Sequence, residues 1–268
     1  MTLSSVLFLF LTHLGLGVGF SLLFVGGGAG VKFFRFNAGL AVILLVVGLA
    51  FLPPEAGAWG PFGRFSIGSL TVATAGLAVY WATIGRMLAR LRPWLLGIAA
   101  ASGLVALVTQ ALQLAGATIV WKILTVASFL TSAGLLGGAC TAMILGHWYL
   151  VIPSLDVTHL QSIVKLHIAS MVVRVVVVGA AVLFAMATWE PGLGPSFQRY
   201  ILSVGGIFFW QRVLFGLFGP GLLSYLTWET AKIRSTQSAT GILYVDFFTV
   251  VVGEVLAKYL LLATSVPV

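Results

Sequence analysis

Long apolar stretches separated by short polar segments recur along the whole chain. A stretch of about 18 or more apolar residues is long enough for a helix to cross a hydrocarbon core of roughly 30 Å. The pattern predicts an all-α, polytopic membrane helix bundle with about eight transmembrane helices in one domain, residues 1–268. The approximate bounds of the predicted spans are 3–25, 37–52, 66–87, 94–115, 119–150, 159–188, 200–228 and 239–263.

Proline and glycine mark interruptions in this pattern. Pro53 and Pro54 are expected to stop the second span, and the loop after them carries Trp59, a residue that favours the headgroup level of a bilayer. Gly219–Pro220–Gly221 interrupts the seventh span. Such an interruption is either a broken helix that forms a transporter's binding site or a kink stabilised by neighbouring helices.

The composition excludes a soluble domain, since 60% of the residues are hydrophobic, 7% are charged and the mean hydropathy is +1.13. The net charge of +8 resides in short connectors, so it indicates topology and not nucleic-acid binding. Basic residues concentrate after spans one, three and seven, which predicts both termini on the outer, periplasmic side of a bacterial-type inner membrane. Those connectors hold Lys32, Arg35, Arg86, Arg90, Arg92, Lys232 and Arg234, whereas the connectors after spans two, four and six hold Arg64, Lys122 and Arg199.

Two absences in the sequence narrow the function further. The single cysteine, Cys140, excludes an internal disulfide, a thiolate zinc site and an iron–sulfur cluster held by this chain alone. The first residues lack the charged segment and cleavage site of a secretory signal, so we expect a retained first span.

Three of the four histidines lie in residues 146–174, a predicted hairpin of two spans. His147 comes six residues before Pro153 and His167 comes eight residues after His159. Both imidazoles are therefore predicted roughly 9–12 Å inside the same membrane face. Matched imidazoles on adjacent helices are the axial ligands that a b-type haem needs, so His147 and His167 are candidate ligands of a haem iron. The alternative is that these histidines bond one helix to another.

Further ionisable residues extend this candidate site. Arg174 lies seven residues after His167, near the same helical face, and with Lys165 is a candidate partner for haem propionates. His13 lies about ten residues into the first span and is a candidate to bond a quinone carbonyl, to ligate haem instead, or to bridge two helices. His159 begins a helix, and we expect it to be solvated.

The last two spans carry buried charges of both signs. Asp246 and Glu254 are candidate proton carriers for a quinone site, and Arg212 needs an anionic partner, for which either carboxylate is suitable. Glu254 and Lys258 form an i,i+4 pair that can neutralise itself. A buried ion-pair network that fixes the last helices, or a transporter's binding site, would use the same residue types.

Eight spans with minimal loops and intramembrane His147, His167, Arg174, Asp246 and Glu254 resemble the membrane-anchor subunits of respiratory oxidoreductases, of the polysulfide or dimethyl-sulfoxide reductase type and the haem-b type. The resemblance implies a non-catalytic subunit that passes electrons between a membrane quinone and a partner redox subunit, through one b-type haem. Its expected partners are the other subunits of that complex and the lipid bilayer. The alternatives are a small proton-coupled secondary transporter and a structural subunit of a larger membrane complex.

Overall fold

The structure is a computed structural model that describes residues 2–54, 56, 59–87, 89–152, 158–189 and 196–268. Within those ranges the ordered elements are helices, and eight helical segments are long and apolar enough to cross a membrane, which confirms the predicted multi-pass helical architecture. The first six are α1 (Leu3–Ser21), α2 (Gly30–Ala50), α3 (Pro61–Thr83), α4 (Arg92–Leu114), α5 (Ile119–Val151) and α6 (Thr158–Ala187). The sidedness of the termini stays a prediction.

The seventh span is composite. A short helix, α7 (Phe197–Ile201), and a 3-10 turn precede α8 (Ile207–Val213), a π-helical turn (Leu214–Phe218) and α9 (Gly219–Lys232). Pro220 has no N–H to donate to the carbonyl four residues earlier, so the backbone widens there without unwinding. The interruption predicted from the sequence is therefore a bulge in a continuous span. The eighth span is α10 (Thr236–Thr264).

Local chemistry explains where several helices begin. The side chains of Thr2, Thr118 and Ser196 accept hydrogen bonds from free backbone N–H groups in the first turns of α1, α5 and α7. Pro61 stands at the start of α3, where its missing N–H costs nothing. Gly30, at a φ of 84°, lets the chain turn into α2.

Some predicted boundaries are corrected by the structure. The second span begins before residue 37, so Lys32 and Arg35 lie on α2 and not in a connector. Arg64 likewise lies in the first turn of α3, before the predicted start of that span. The predicted turn at Pro153 and the loop 190–195 lie outside the described residues.

Helices α1, α5 and α10 form the centre of the bundle, where all three contact one another. Gly17 and Gly137 lie at the crossing of α1 and α5, and a Cβ on either would overlap the backbone of the other helix. Small residues thus allow the two backbones to touch, as is common where membrane helices cross. The outward face of α6, by contrast, carries exposed valines such as Val172 and Val176, which suit a lipid environment.

Candidate functional site

Glu254 of α10 lies at the centre of a buried cluster of ionisable side chains. Arg174 of α6 holds it with two bonds, Nε to Oε1 at 3.1 Å and Nη2 to Oε2 at 3.2 Å. Arg212 of α8 donates from Nη2 to Oε1 at 2.9 Å, and the Lys258 ammonium lies 3.5 Å from Oε2. All four side chains are at most 2% exposed. Arg212 therefore has one of the two anionic partners expected from the sequence, and Glu254 and Lys258 form the expected pair.

The bulge in the seventh span brings Arg212 to this cluster. Gly216, within the π-helical turn, crosses Gly253 of α10 so closely that a Cβ on either would overlap the other backbone. A Cβ on Gly216 would also overlap the Arg212 guanidinium. Because Gly216 and Gly253 have no side chains, there is space for the Arg212 guanidinium beside Glu254.

Serines of α5 link the cluster to α1. Ser132 Oγ donates to Glu254 Oε2 at 2.5 Å and accepts from Lys258 Nζ at 2.6 Å. The same hydroxyl lies 3.3 Å from His13 Nδ1. Arg174 Nη1 donates to the Ser128 carbonyl at 2.9 Å and to its hydroxyl at 2.6 Å. His13, Ser132, Lys258 and Glu254 thus form one continuous buried hydrogen-bonded chain.

The cluster carries more positive than negative charge. Three cations, Arg174, Arg212 and Lys258, share the Glu254 carboxylate, and Arg174 Nη2 also donates to the Val268 backbone oxygen at 3.4 Å. The Arg212 atoms Nε and Nη1 have no hydrogen-bond partner among the described residues. Buried charge without a counter-charge is costly, and guanidinium groups do not titrate in proteins. Lys258 is therefore the cation of the cluster that can release a proton, and its contact with Ser132 gives that proton a route toward His13.

A second buried pair lies elsewhere in the bundle. His167 Nε2 is 2.8 Å from Asp246 Oδ2, and both side chains are 0% exposed. His167 comes seven residues before Arg174 and Asp246 comes eight before Glu254, so the two clusters lie roughly 10–12 Å apart along the helices. Asp246 is thus a partner of His167 and not of Arg212.

The structure does not bring the two predicted haem ligands together. His167 lies against Gly138, nine residues before His147 on α5, which separates their levels by ~13 Å. The His147 side chain is exposed, and its Nδ1 lies 3.1 Å from the Tyr244 hydroxyl. In this arrangement the two imidazoles do not face one iron. Haem b binding stays a prediction.

The other sequence-predicted residues of the hairpin have different partners. Arg174 is engaged by Glu254 and Ser128, which leaves it no free face for a propionate. The Lys165 ammonium lies over the Trp228 ring, 5.3 Å from its centroid. His159 is half-buried against the connector that precedes α2, where a Cβ on Gly26 would lie 2.7 Å from the imidazole, so it is only partly exposed to solvent.

A cavity of about 130 Å³ lies between α1, α3, α4 and α10, and Gln110 in its wall separates it from His13. Its wall includes the rings of Phe8 and Trp59, whose centroids are 6.0 Å apart, and the side chain of Gln110. Gln110 is 3% exposed, and neither its amide atoms nor His13 Nε2 has a hydrogen-bond partner among the described residues. The Gln110 amide nevertheless lies near enough to His13 to interact with it. Unpartnered buried donors beside aromatic rings suit a ligand with carbonyl oxygens.

The sequence interpretation missed this cavity. The signal that could have found it is the pair Gln110 and Gln113, two amides three residues apart in an otherwise apolar span. Gln113 is fixed, since its Oε1 accepts a hydrogen bond from the Gly63 N–H at 3.2 Å. The Gln110 amide is therefore the one of the two that is available to form hydrogen bonds with a ligand.

No protein-family model, curated protein or solved structure matches the chain. The fold and the buried cluster together define a multi-pass membrane protein with ionisable side chains in its interior. Its function is therefore argued from the site alone.

Proposed function

We propose that this chain is an integral membrane subunit of an electron-transfer complex that exchanges protons with a membrane quinone. The observation that carries the proposal is the buried chain of contacts from Lys258 through Ser132 to His13, whose imidazole interacts with Gln110 in the wall of an aromatic cavity. A quinone takes up protons together with electrons when it is reduced. Electrons would be exchanged with the redox centres of a partner subunit.

The residues around the cavity have distinct roles in this proposal. The Gln110 amide would hold a carbonyl oxygen of the quinone ring, because it is buried in the wall of the cavity, and His13 would supply protons from behind it. Phe8 and Trp59, which pack against each other, would form an apolar wall beside the ring and exclude water. Lys258 stores the proton and donates to Ser132, and Ser132 passes a proton to His13 when its hydroxyl hydrogen turns from Glu254 to His13 Nδ1.

Quinone binding by the purified chain tests this proposal. Quinones quench tryptophan fluorescence, so a titration with a short-chain quinone should quench part of the emission and saturate. Gln110→Leu should weaken binding by about tenfold or more, because a buried hydrogen bond is worth roughly 1–3 kcal/mol. Ser69→Ala, at a half-buried residue of α3 outside the cavity wall, serves as the control. No saturable quenching in folded protein contradicts the proposal.

A second candidate is a small proton-coupled secondary transporter, which the bulge in the seventh span favours. The π-helical turn lies beside Arg212, whose Nε and Nη1 lack partners and suit an anionic substrate. Liposomes that contain only this chain, with a pH gradient and a panel of labelled small anions, separate the two proposals. Gradient-driven uptake that Arg212→Met abolishes supports transport, whereas quinone binding without uptake supports the electron-transfer subunit.

A further inference from the structure

A groove of about 500 Å³ follows one face of α2 on the surface of the bundle, away from the buried cluster. Lys32 and Arg35 stand at its mouth, in the first turns of the helix. Phe36, Gly39 and Ile43 continue along the same face, and Trp81 of α3 forms the opposite wall. The groove thus has a basic end and an apolar length.

The two bases at the mouth have no acidic partner. Among the described residues neither Lys32 nor Arg35 forms an ion pair, and the Arg35 guanidinium lies 5.9 Å from the centroid of the Trp81 ring. Val31, next to Lys32, contacts Gly85, which brings the exposed Arg86 into the same region. This surface therefore attracts an anion, and a cation held on an indole face remains free to bind one.

The length of the groove identifies the kind of anion. Eleven residues separate Lys32 from Ile43, so the groove extends ~16 Å along α2. That distance is about half of a hydrocarbon core of roughly 30 Å, which is the depth of one leaflet. A soluble phosphate compound would use only the mouth, whereas a phospholipid would fill the mouth and the apolar length together.

The Trp81 wall of the groove depends on a glycine at residue 39. A Cβ at Gly39 would lie 2.8 Å from Trp81 Nε1, so the indole packs on the Gly39 backbone and any larger side chain would push it into the groove. No hydrogen-bond partner is observed for Trp81 Nε1 within the described residues, and this side chain is 41% exposed. An indole N–H at this depth suits an ester or phosphate oxygen.

We propose that the groove between α2 and α3 binds an anionic phospholipid, with its phosphate at Lys32 and Arg35 and an acyl chain along Gly39 and Ile43. The site is independent of the quinone cavity, since the two share no residue. Its occupant is a lipid of the surrounding bilayer and not a free phosphate.

Native mass spectrometry of the purified full chain tests the proposal, with phosphatidylglycerol and phosphatidylcholine of identical acyl chains added in equal amounts. Phosphatidylglycerol should be retained in preference. Replacement of both bases (Lys32→Gln with Arg35→Gln) should reduce that preference by about fivefold for each charge. Gly39→Leu should reduce retention of both lipids, because the displaced indole fills the apolar length without a change of charge.

Matched controls distinguish this site from general surface charge. Arg64→Gln removes an exposed base on α3 outside the groove and should leave the preference unchanged. Equal retention of both lipids by the native chain, an equal loss in the Arg64 variant, or complete displacement by millimolar inorganic phosphate would each overturn the proposal. If the Gly39 variant does not fold, the variant with both bases replaced by Gln still tests the proposed lipid site, because both bases are surface side chains.

Discussion

Removal of the Glu254 charge should destabilise the protein more than any other single loss of charge in the buried cluster. Glu254→Gln keeps the shape of the side chain but leaves Arg174, Arg212 and Lys258 without the carboxylate that they share. Breaking a buried ion pair by removal of one partner costs about 3–5 kcal/mol. That is a large part of the roughly 5–15 kcal/mol that stabilises a typical folded protein.

The structure also predicts which second change restores stability. Arg212 has Glu254 as its hydrogen-bond partner and two further nitrogen atoms without any partner among the described residues. Arg174 keeps its bonds to Ser128 when Glu254 is lost. Arg212→Met in the Glu254→Gln background should therefore regain more free energy of unfolding than Arg174→Met, because it removes the charge with the fewest remaining partners.

Unfolding in mixed micelles, followed by far-ultraviolet circular dichroism, measures these differences. Glu229→Gln is the matched control, since its carboxylate is 44% exposed and pairs with Lys232 at 2.7 Å on the surface. That pair should contribute about 0–1 kcal/mol. If Glu254→Gln unfolds with the same free energy as Glu229→Gln, the cluster does not have the electrostatic role argued above.

Three further predictions follow from the same geometry. Lys258→Met should abolish proton uptake linked to quinone reduction in the assembled complex while quinone still binds, and a stopped-flow pH indicator measures this; unchanged uptake would exclude Lys258 as the proton store. His147→Ala and His167→Ala test the haem prediction, since the reduced-minus-oxidised visible spectrum should lose its α-band in both variants if haem b is bound between them; an α-band that survives both changes would end that assignment. Gly137→Leu should prevent the close crossing of α1 and α5 and cost about 1–3 kcal/mol or more in the same unfolding assay; full native stability would show that the backbones are not in contact.

The sequence predicts the helices well because hydropathy acts locally. Each stretch must satisfy its own backbone hydrogen bonds in lipid, so an apolar run of sufficient length is already a helix. The predicted helix boundaries are less accurate. Lys32 and Arg35 lie on α2, although their charges indicated a connector between helices. Long basic side chains tolerate a helix end at the membrane surface, because they can extend toward water.

The candidate site is predicted only in part, because its geometry depends on contacts between distant segments. Spacing places Glu254 and Lys258 together, and the need for a counter-charge identifies the carboxylates as partners of Arg212. The choice between Asp246 and Glu254 depends on the π-helical turn, which alters the rotation of the seventh span. The prediction of matched depth for His147 and His167 assumed helices of equal register on both sides of the turn. His167 instead lies at the level of Gly138.

The separation of the two buried clusters favours proton exchange with a quinone over transport across the membrane. About 12 Å of α10 lies between Asp246 and Glu254. Thr249, the hydroxyl in that interval, donates to the Asp246 backbone carbonyl at 2.8 Å and so does not link the two carboxylates. Passage through the whole bundle would need water or a rearrangement in this interval. Proton exchange at the cavity needs only Lys258, Ser132 and His13, which are already in contact.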